Sequence, residues 1–389
     1  MERKLELGGL AMKTRKATIL LAGAAIACMA IVSGCSKSPI GLGGKAVRFE
    51  TTSGGAQTTK TLYGEDSGTK QALNWVDGDV ITIASPQAKV IDGANAGANA
   101  SNYVVKNAVD GVPSQAKVSN ESGNGLTWTD GVNSFDFYAV YPKVGNSITL
   151  ASDGAVTATI PANQDLTGDP NDKVVGEGDA AITYKEYKPD MNYAFMTAAT
   201  EKVAPSTEEN AVSLTFDPAF TAFEFNVSSQ DEGEIELTAF EILSPNNETV
   251  KRNDKLAGKF SMTAGNFSSI AIDESATQSI KVGMGDAKIV DDKTGLTFTV
   301  FALPVKNTDP LRIRFTSNEG DGSKTSWLDL KYSDDAEKAG DNAGKALQFE
   351  AGHKYRINML KLPSSQWKIT IKPIFEEWIE AEDEVVIYI

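Results

Sequence analysis

Histidine and cysteine are nearly missing from this sequence: His353, Cys28 and Cys35 are the only three in 389 residues. His353 follows Gly352 in a turn-like stretch, and no serine or cysteine stands in a spacing that it could activate, which excludes histidine-based catalysis. One histidine and so few thiols cannot assemble a zinc site. A glycine-rich phosphate loop is absent, and so is an excess of positive charge. The formal net charge is −15, and an acidic surface repels nucleic acid and anionic lipid. No metal, cofactor or nucleic acid is therefore expected. Apolar residues at helical spacing are also lacking beyond the first forty positions.

What is present begins with a leader. Lys13, Arg15 and Lys16 precede the apolar run 17–32, which ends in Ser33, Gly34 and Cys35. A basic segment, an apolar stretch too short for a comfortable bilayer crossing and small residues that admit a peptidase make a secretion signal. Met12 opens this pattern better than Met1, because Glu2 and Glu6 fall where a leader is basic. A retained transmembrane anchor is the alternative, but Val32-Ser33-Gly34-Cys35 fits a lipobox at every position. Residues 1–34 are thus expected to be a cleaved signal peptide, with Cys35 carrying the lipid that holds the protein in the outer membrane. Cys28 leaves with the leader, so no disulfide is available. The formal charge becomes −18, with 32 basic against 50 acidic residues. Stability must come from burial, which the remaining chain supplies as two domains of ordinary size.

Residues 35–60 are rich in Gly, Ser, Thr and Lys, interrupted by the alternating stretch Ala46 to Thr51, and read as a tether carrying one strand. Short apolar runs of period two then recur between Gly, Asp, Asn and Pro clusters, the pattern of a β-sandwich chain. A first domain, 61–204, holds predicted strands at 79–83, 102–105, 134–141, 156–160 and 193–196. The polar stretch around Pro205 marks a boundary. A second domain, 205–389, holds predicted strands at 212–216, 222–227, 235–243, 279–282, 296–303, 311–315, 326–331 and 354–360. Two more segments, 367–372 and 385–389, end the chain. A terminus inside so apolar and β-prone a run is expected to be buried somewhere, because chain ends are normally frayed and polar.

Several motifs, in order, resemble the fimbrillin (Mfa-like) subunits of type V pili. They are Asn74-Trp75-Val76-Asp77-Gly78-Asp79-Val80-Ile81, Phe137 to Pro142, and Ile160-Pro161-Ala162-Asn163-Gln164. In the second half come Leu256-Ala257-Gly258-Lys259-Phe260, Ala302-Leu303-Pro304-Val305 and Ala351-Gly352-His353-Lys354-Tyr355. The resemblance implies an all-β protein of two transthyretin-like β-sandwich domains in tandem, a surface lipoprotein incorporated into a fimbrium that supports cell adhesion. It also implies assembly with other pilin subunits: a protease cuts after an Arg near the N-terminus, removing the first strand, and a neighbour's C-terminal strand fills the groove. An open sheet edge exposes unpaired backbone groups and apolar pockets at alternate positions, and a donated strand satisfies both.

On this chain the groove-filling residues would be Val47 and Phe49, the processing site Arg48 or Lys60, and the donor strand Val385, Ile387 and Ile389 within 367–389. Arg48 is the better of the two because it is the only Arg near the mature N-terminus, although it lies inside its expected strand, whereas Lys60 lies in a polar loop and is not an Arg. From Trp367 the tail could reach about 75 Å at roughly 3.3 Å per residue. The tail also fits as an edge strand of its own sheet. A rival function is a monomeric surface lipoprotein that binds a receptor or glycan by stacking sugars on Trp75 or Trp128. A carboxylate-dependent hydrolase is a weaker third, with no acidic pair singled out. The acidic residues from Asp169 to Asp179 read as a solvated loop, because Lys173 and Val174 stand where a calcium loop needs a ligand and a glycine.

Overall fold

A computed structural model of the chain describes residues 43–53, 62–66, 71–106, 115–178 (without 124 and 146), 181–206, 211–244 (without 231–232), 254–332 (without 286–287, 305–306, 308–309 and 320–321), 344–349, 352–363, 367–373 and 385–388. Among them the protein is all-β, with a short 3-10 turn at Met191–Tyr193 whose Asn192 amide donates to the Asp190 carboxylate. The alternation that predicted strands is visible as burial. In Ala155–Ile160 the residues Val156, Ala158 and Ile160 are buried while their neighbours stay wetter. Phe135–Tyr141 is buried on both faces, as suits a central strand.

Seven strands close into a barrel. The hydrogen-bonded order is Phe49–Ser53, Val212–Pro218, Met196–Val203, Phe135–Tyr141, Val80–Ala84, Ala100–Lys106 and Ala116–Asn120, which returns to Phe49–Ser53. Its interior holds Phe49, Trp75, Tyr103, Trp128, Phe135, Phe137 and Phe216 among others.

The second core lies between two sheets. One runs Asn163–Asp165, Ser279–Gly283, Ile235–Leu243, Arg312–Asn318, Ser323–Asp329. The other runs Asn171–Val175, Ile182–Tyr187, Thr294–Ala302, Thr221–Ser229, Lys354–Lys361, Trp367–Pro373, Val385–Tyr388. Phe225 stacks on Phe298 of its own sheet at 5.2 Å and meets Phe240 of the facing sheet edge-on at 4.7 Å. Such pairs add about 0.5–1.5 kcal/mol each beyond the area they bury.

Strand pairing crosses residue 204. Ala155–Ile160 lies antiparallel to Gly258–Thr263, Asn163–Asp165 parallel to Ser279–Gly283, and Ile182–Tyr187 parallel to Thr294–Ala302. Alternation says which residues of a strand are buried, but not against which partner. Two local expectations are corrected. The strand predicted at 193–196 is instead the 3-10 turn followed by a strand that begins at Met196. The segment 169–179, read as a loop, contains an exposed strand, Asn171–Val175, paired with Ile182–Tyr187 and tied by Lys185 to Asp172 at 2.7 Å.

On the seven-stranded sheet two buried charged side chains, Glu224 and Lys354, meet the partly buried Arg356. Glu224 sits opposite Arg356, and Lys354, fully buried, lies opposite Ala222. Both cations contact the Glu224 carboxylate, Arg356 through Nε at 2.5 Å. Burial pushes the Glu224 carboxyl up, but Lys354 and Arg356 together outweigh it and hold the group below its ordinary range. Burial also pulls the Lys354 ammonium down, with Glu224 opposing.

Candidate functional site: a groove filled by the chain's first strand

The strand Phe49–Ser53 is special because of how it is held. On one side it runs parallel to Val212–Pro218, with Phe49 opposite Val212, Thr51 opposite Leu214 and Ser53 opposite Phe216. On the other it runs antiparallel to Ala116–Asn120, with Thr51 opposite Ala116. A parallel pair needs a long crossover, and here it is supplied by nearly the whole barrel. The strand is therefore a wedge between two elements that would otherwise be edges.

Its side chains follow the predicted alternation. Val47, Phe49 and Thr51 are buried, whereas Arg48 and Glu50 are exposed. The Phe49 ring meets Tyr103 and Phe137 edge-on, each at 5.1 Å. The Thr51 hydroxyl donates to the Ala116 carbonyl at 3.2 Å. Just before it, the Val47 amide donates to the Leu126 carbonyl at 2.8 Å, and the Val212 amide donates to the Arg48 carbonyl at 2.8 Å. Burying Val47 and Phe49 contributes about 1.5–3 kcal/mol each. Arg48 thus stands on the N-terminal side of the wedge, with its carbonyl inside the hydrogen-bond ladder. Cys35, Lys60 and Ile389 lie outside the described residues.

At the other end of the chain, Trp367–Pro373 pairs with Lys354–Lys361 along its whole length. Trp367 is 1% exposed and packs edge-on against Phe315 of the facing sheet at 4.8 Å. Val385–Tyr388 then forms the outermost strand, with Val385 opposite Ile371 and Ile387 opposite Ile369. In the single chain the tail is thus an edge strand of its own sheet, held from one side only.

The tryptophans of the glycan reading are not surface platforms. Trp75 is buried between Tyr141 and Phe216, at 5.6 and 5.3 Å, and Trp128 lies against Phe135 and Phe137, at 4.8 and 5.9 Å. Neither offers a ring face to a sugar. Trp75→Ala is expected to lower unfolding stability by about 3–5 kcal/mol, read as a shifted urea midpoint. His353 is half-buried, stacks on Tyr355 at 6.1 Å, and its carbonyl accepts from the Ala222 amide. Among the described residues no group of three or more His, Cys, Asp or Glu is placed to hold a metal ion.

The sequence profile of the fimbrillin-like family matches residues 66–373. No curated protein matches the chain. Among solved structures, a protein from Bacteroides uniformis described as a candidate cell adhesion protein is 15% identical, with TM-score 0.47, over 86% of this chain and 99% of that one. A fimbrial assembly protein from Parabacteroides distasonis is 13% identical, with TM-score 0.36, over 88% and 98%. The tip fimbrial protein Mfa3 from Porphyromonas gingivalis is 10% identical, with TM-score 0.36, over 85% and 100%. None of these three reaches a TM-score of 0.5, so identity rests on the profile match, which spans most of the chain and leaves out both Phe49–Ser53 and Val385–Tyr388. The chain belongs to the fimbrillin-like family.

Proposed function

We propose that this protein is a pilus subunit, exported as an outer-membrane lipoprotein through Cys35 and polymerised at the cell surface by strand exchange, with adhesion as the role of the polymer. Family membership supports the subunit role. The observation that carries the exchange is the wedge: a strand outside the family match that closes the barrel and buries Phe49 and Thr51, with Val47 buried just before it. The work is binding, without a reaction.

The position of the wedge favours one of the two processing sites over the other. A cut after Arg48 leaves Phe49–Ser53 in its groove, whereas a cut after Lys60 releases the whole strand. In this scheme Lys60 is the productive site, and Val385, Ile387 and Ile389 of a neighbouring subunit take the places of Val47, Phe49 and Thr51. Because Trp367–Pro373 stays in its own core, the donor arm is residues 374–389, about 50 Å when extended at roughly 3.3 Å per residue. That is long enough to cross to a neighbour. In the same proposal the two tandem domains are the barrel and the region of the second core, with strands between Ile148 and Tyr187 belonging to the latter although they precede residue 204.

Intact-mass measurement of fimbrial material stripped from the cell surface tests the scheme. The expected subunit mass begins at Thr61. Assembled subunits that still carry lipidated Cys35, or that begin at Phe49, would rule out exchange at this groove.

A further inference from the structure

An exposed aromatic residue lies elsewhere. Trp327 stands on Ser323–Asp329, the edge strand of the second core's smaller sheet, and is 53% exposed. Its ring is fixed in place: the Arg312 guanidinium lies over it, 4.0 Å from the centroid, and is itself clamped by Asp329 through two bonds of 2.7 and 3.0 Å. Directly across the ladder from Trp327 is Arg314, which pairs with Glu241 on the next strand. The hydroxyls of Thr316 and Thr325, 3.0 Å apart, lie one row along.

We propose that this sheet face is a carbohydrate-binding platform that takes a neutral hexose unit of a surface polysaccharide. Three observations favour that ligand. With one ring face on Arg312 and just over half of its surface in solvent, the indole offers its other face, an apolar plane suited to the C–H face of a pyranose. The groups around it are carboxylates, guanidiniums and hydroxyls held at fixed spacing, which suit neighbouring sugar hydroxyls. Each guanidinium is already paired with a carboxylate, so the platform is close to neutral and gives an anionic polymer no advantage. A protein hot spot has a different make-up: its aromatic anchor sits in a packed pocket from which water is excluded. Here Trp327 has Arg312, Arg314, Thr325 and Asp329 as its same-face neighbours.

The platform does not depend on strand exchange, and its test keeps the two apart. Native affinity electrophoresis of the full chain is run through gels containing mannan, amylose, laminarin or galactan. At least one of the four is expected to retard the protein. Trp327→Ala is expected to weaken that retardation by about tenfold or more, a loss of roughly 1.4 kcal/mol. Trp327→Phe, which keeps a ring face, is expected to retain most of it, and Ile91→Ala, an exposed apolar residue of the barrel region, all of it. Circular dichroism of Trp327→Ala is expected to match the parent, because the side chain it removes is mostly in water. No retardation by any of the four polymers would overturn the proposal. So would equal retardation of the parent and Trp327→Ala, or a Trp327→Ala variant that binds sugar as before but loses self-association.

Discussion

A chain that starts at Thr61 is expected to form ladders of polymer resistant to unheated denaturing gels, while a chain that starts at Ser36 is expected to run as a monomer. The difference follows from competition for one groove. In the longer chain the wedge Phe49–Ser53 is tethered beside its own site, at an effective concentration on the order of millimolar for a short linker. A neighbour's tail at micromolar concentration faces a handicap of about a thousandfold, or roughly 4 kcal/mol, before any difference in fit is counted. Removing residues 1–60 removes the competitor and also strips the barrel of Val47 and Phe49, leaving Tyr103 and Phe137 without the ring that lies between them. A strand with apolar residues at alternate positions restores both the ladder bonds and the packing. Deleting residues 385–389 from the Thr61 chain is expected to abolish the ladders, because the donor is gone. Ladders that survive the deletion, or that form equally from the Ser36 chain, would show that the subunits associate by some other surface.

Much of this groove is legible in the residues themselves. The alternation of Val47, Phe49 and Thr51 fixes which side chains are buried, and it does so because a strand places every second residue on one face. What alternation does not carry is the partner. Nothing local to Phe49–Ser53 indicates that it lies parallel to Val212–Pro218, more than 150 residues away, since pairing is decided by the shape of the whole barrel. The same limit explains why strands between Ile148 and Tyr187, read as part of a first domain, pair with strands after Gly258. Arg48 illustrates a different gap. Its residue type marks a cleavage candidate, but its place at the N-terminal end of the wedge, with its carbonyl bonded to the Val212 amide, is visible only in the fold. With Trp327 the difficulty is one of burial. All five tryptophans look alike as letters, and Trp75 and Trp128, which occur in the more suggestive surroundings, turn out to be core.

Glu224→Gln is expected to lower stability near neutral pH by about 3–5 kcal/mol, as is usual when one member of a buried ion pair is removed. The carboxylate neutralises two cations at once, the fully buried Lys354 and the largely buried Arg356. Glutamine keeps the volume and one acceptor oxygen but removes the anion that both cations share. The dependence on pH separates charge from packing. Glu224 has a folded-state pKa below its unfolded value, so its contribution is fully present above the ordinary carboxylate range and is lost as pH falls through the depressed value. Once protonated, the parent resembles the glutamine variant at this site. The gap between their urea midpoints should therefore be widest near neutrality and close as the solution is made acidic. On the alkaline side Lys354 acts in the opposite sense. Its folded pKa is lowered, so the folded state loses its proton first and stability rises with pH below the ordinary lysine range. Losing Glu224 removes the larger of the two carboxylate influences that oppose that lowering, the other being Glu186, so the variant gains more from this rise and the gap narrows again. A deficit of constant size from acid to alkaline pH would mean that Glu224 acts by shape alone, and that the buried cations are neutralised by something else.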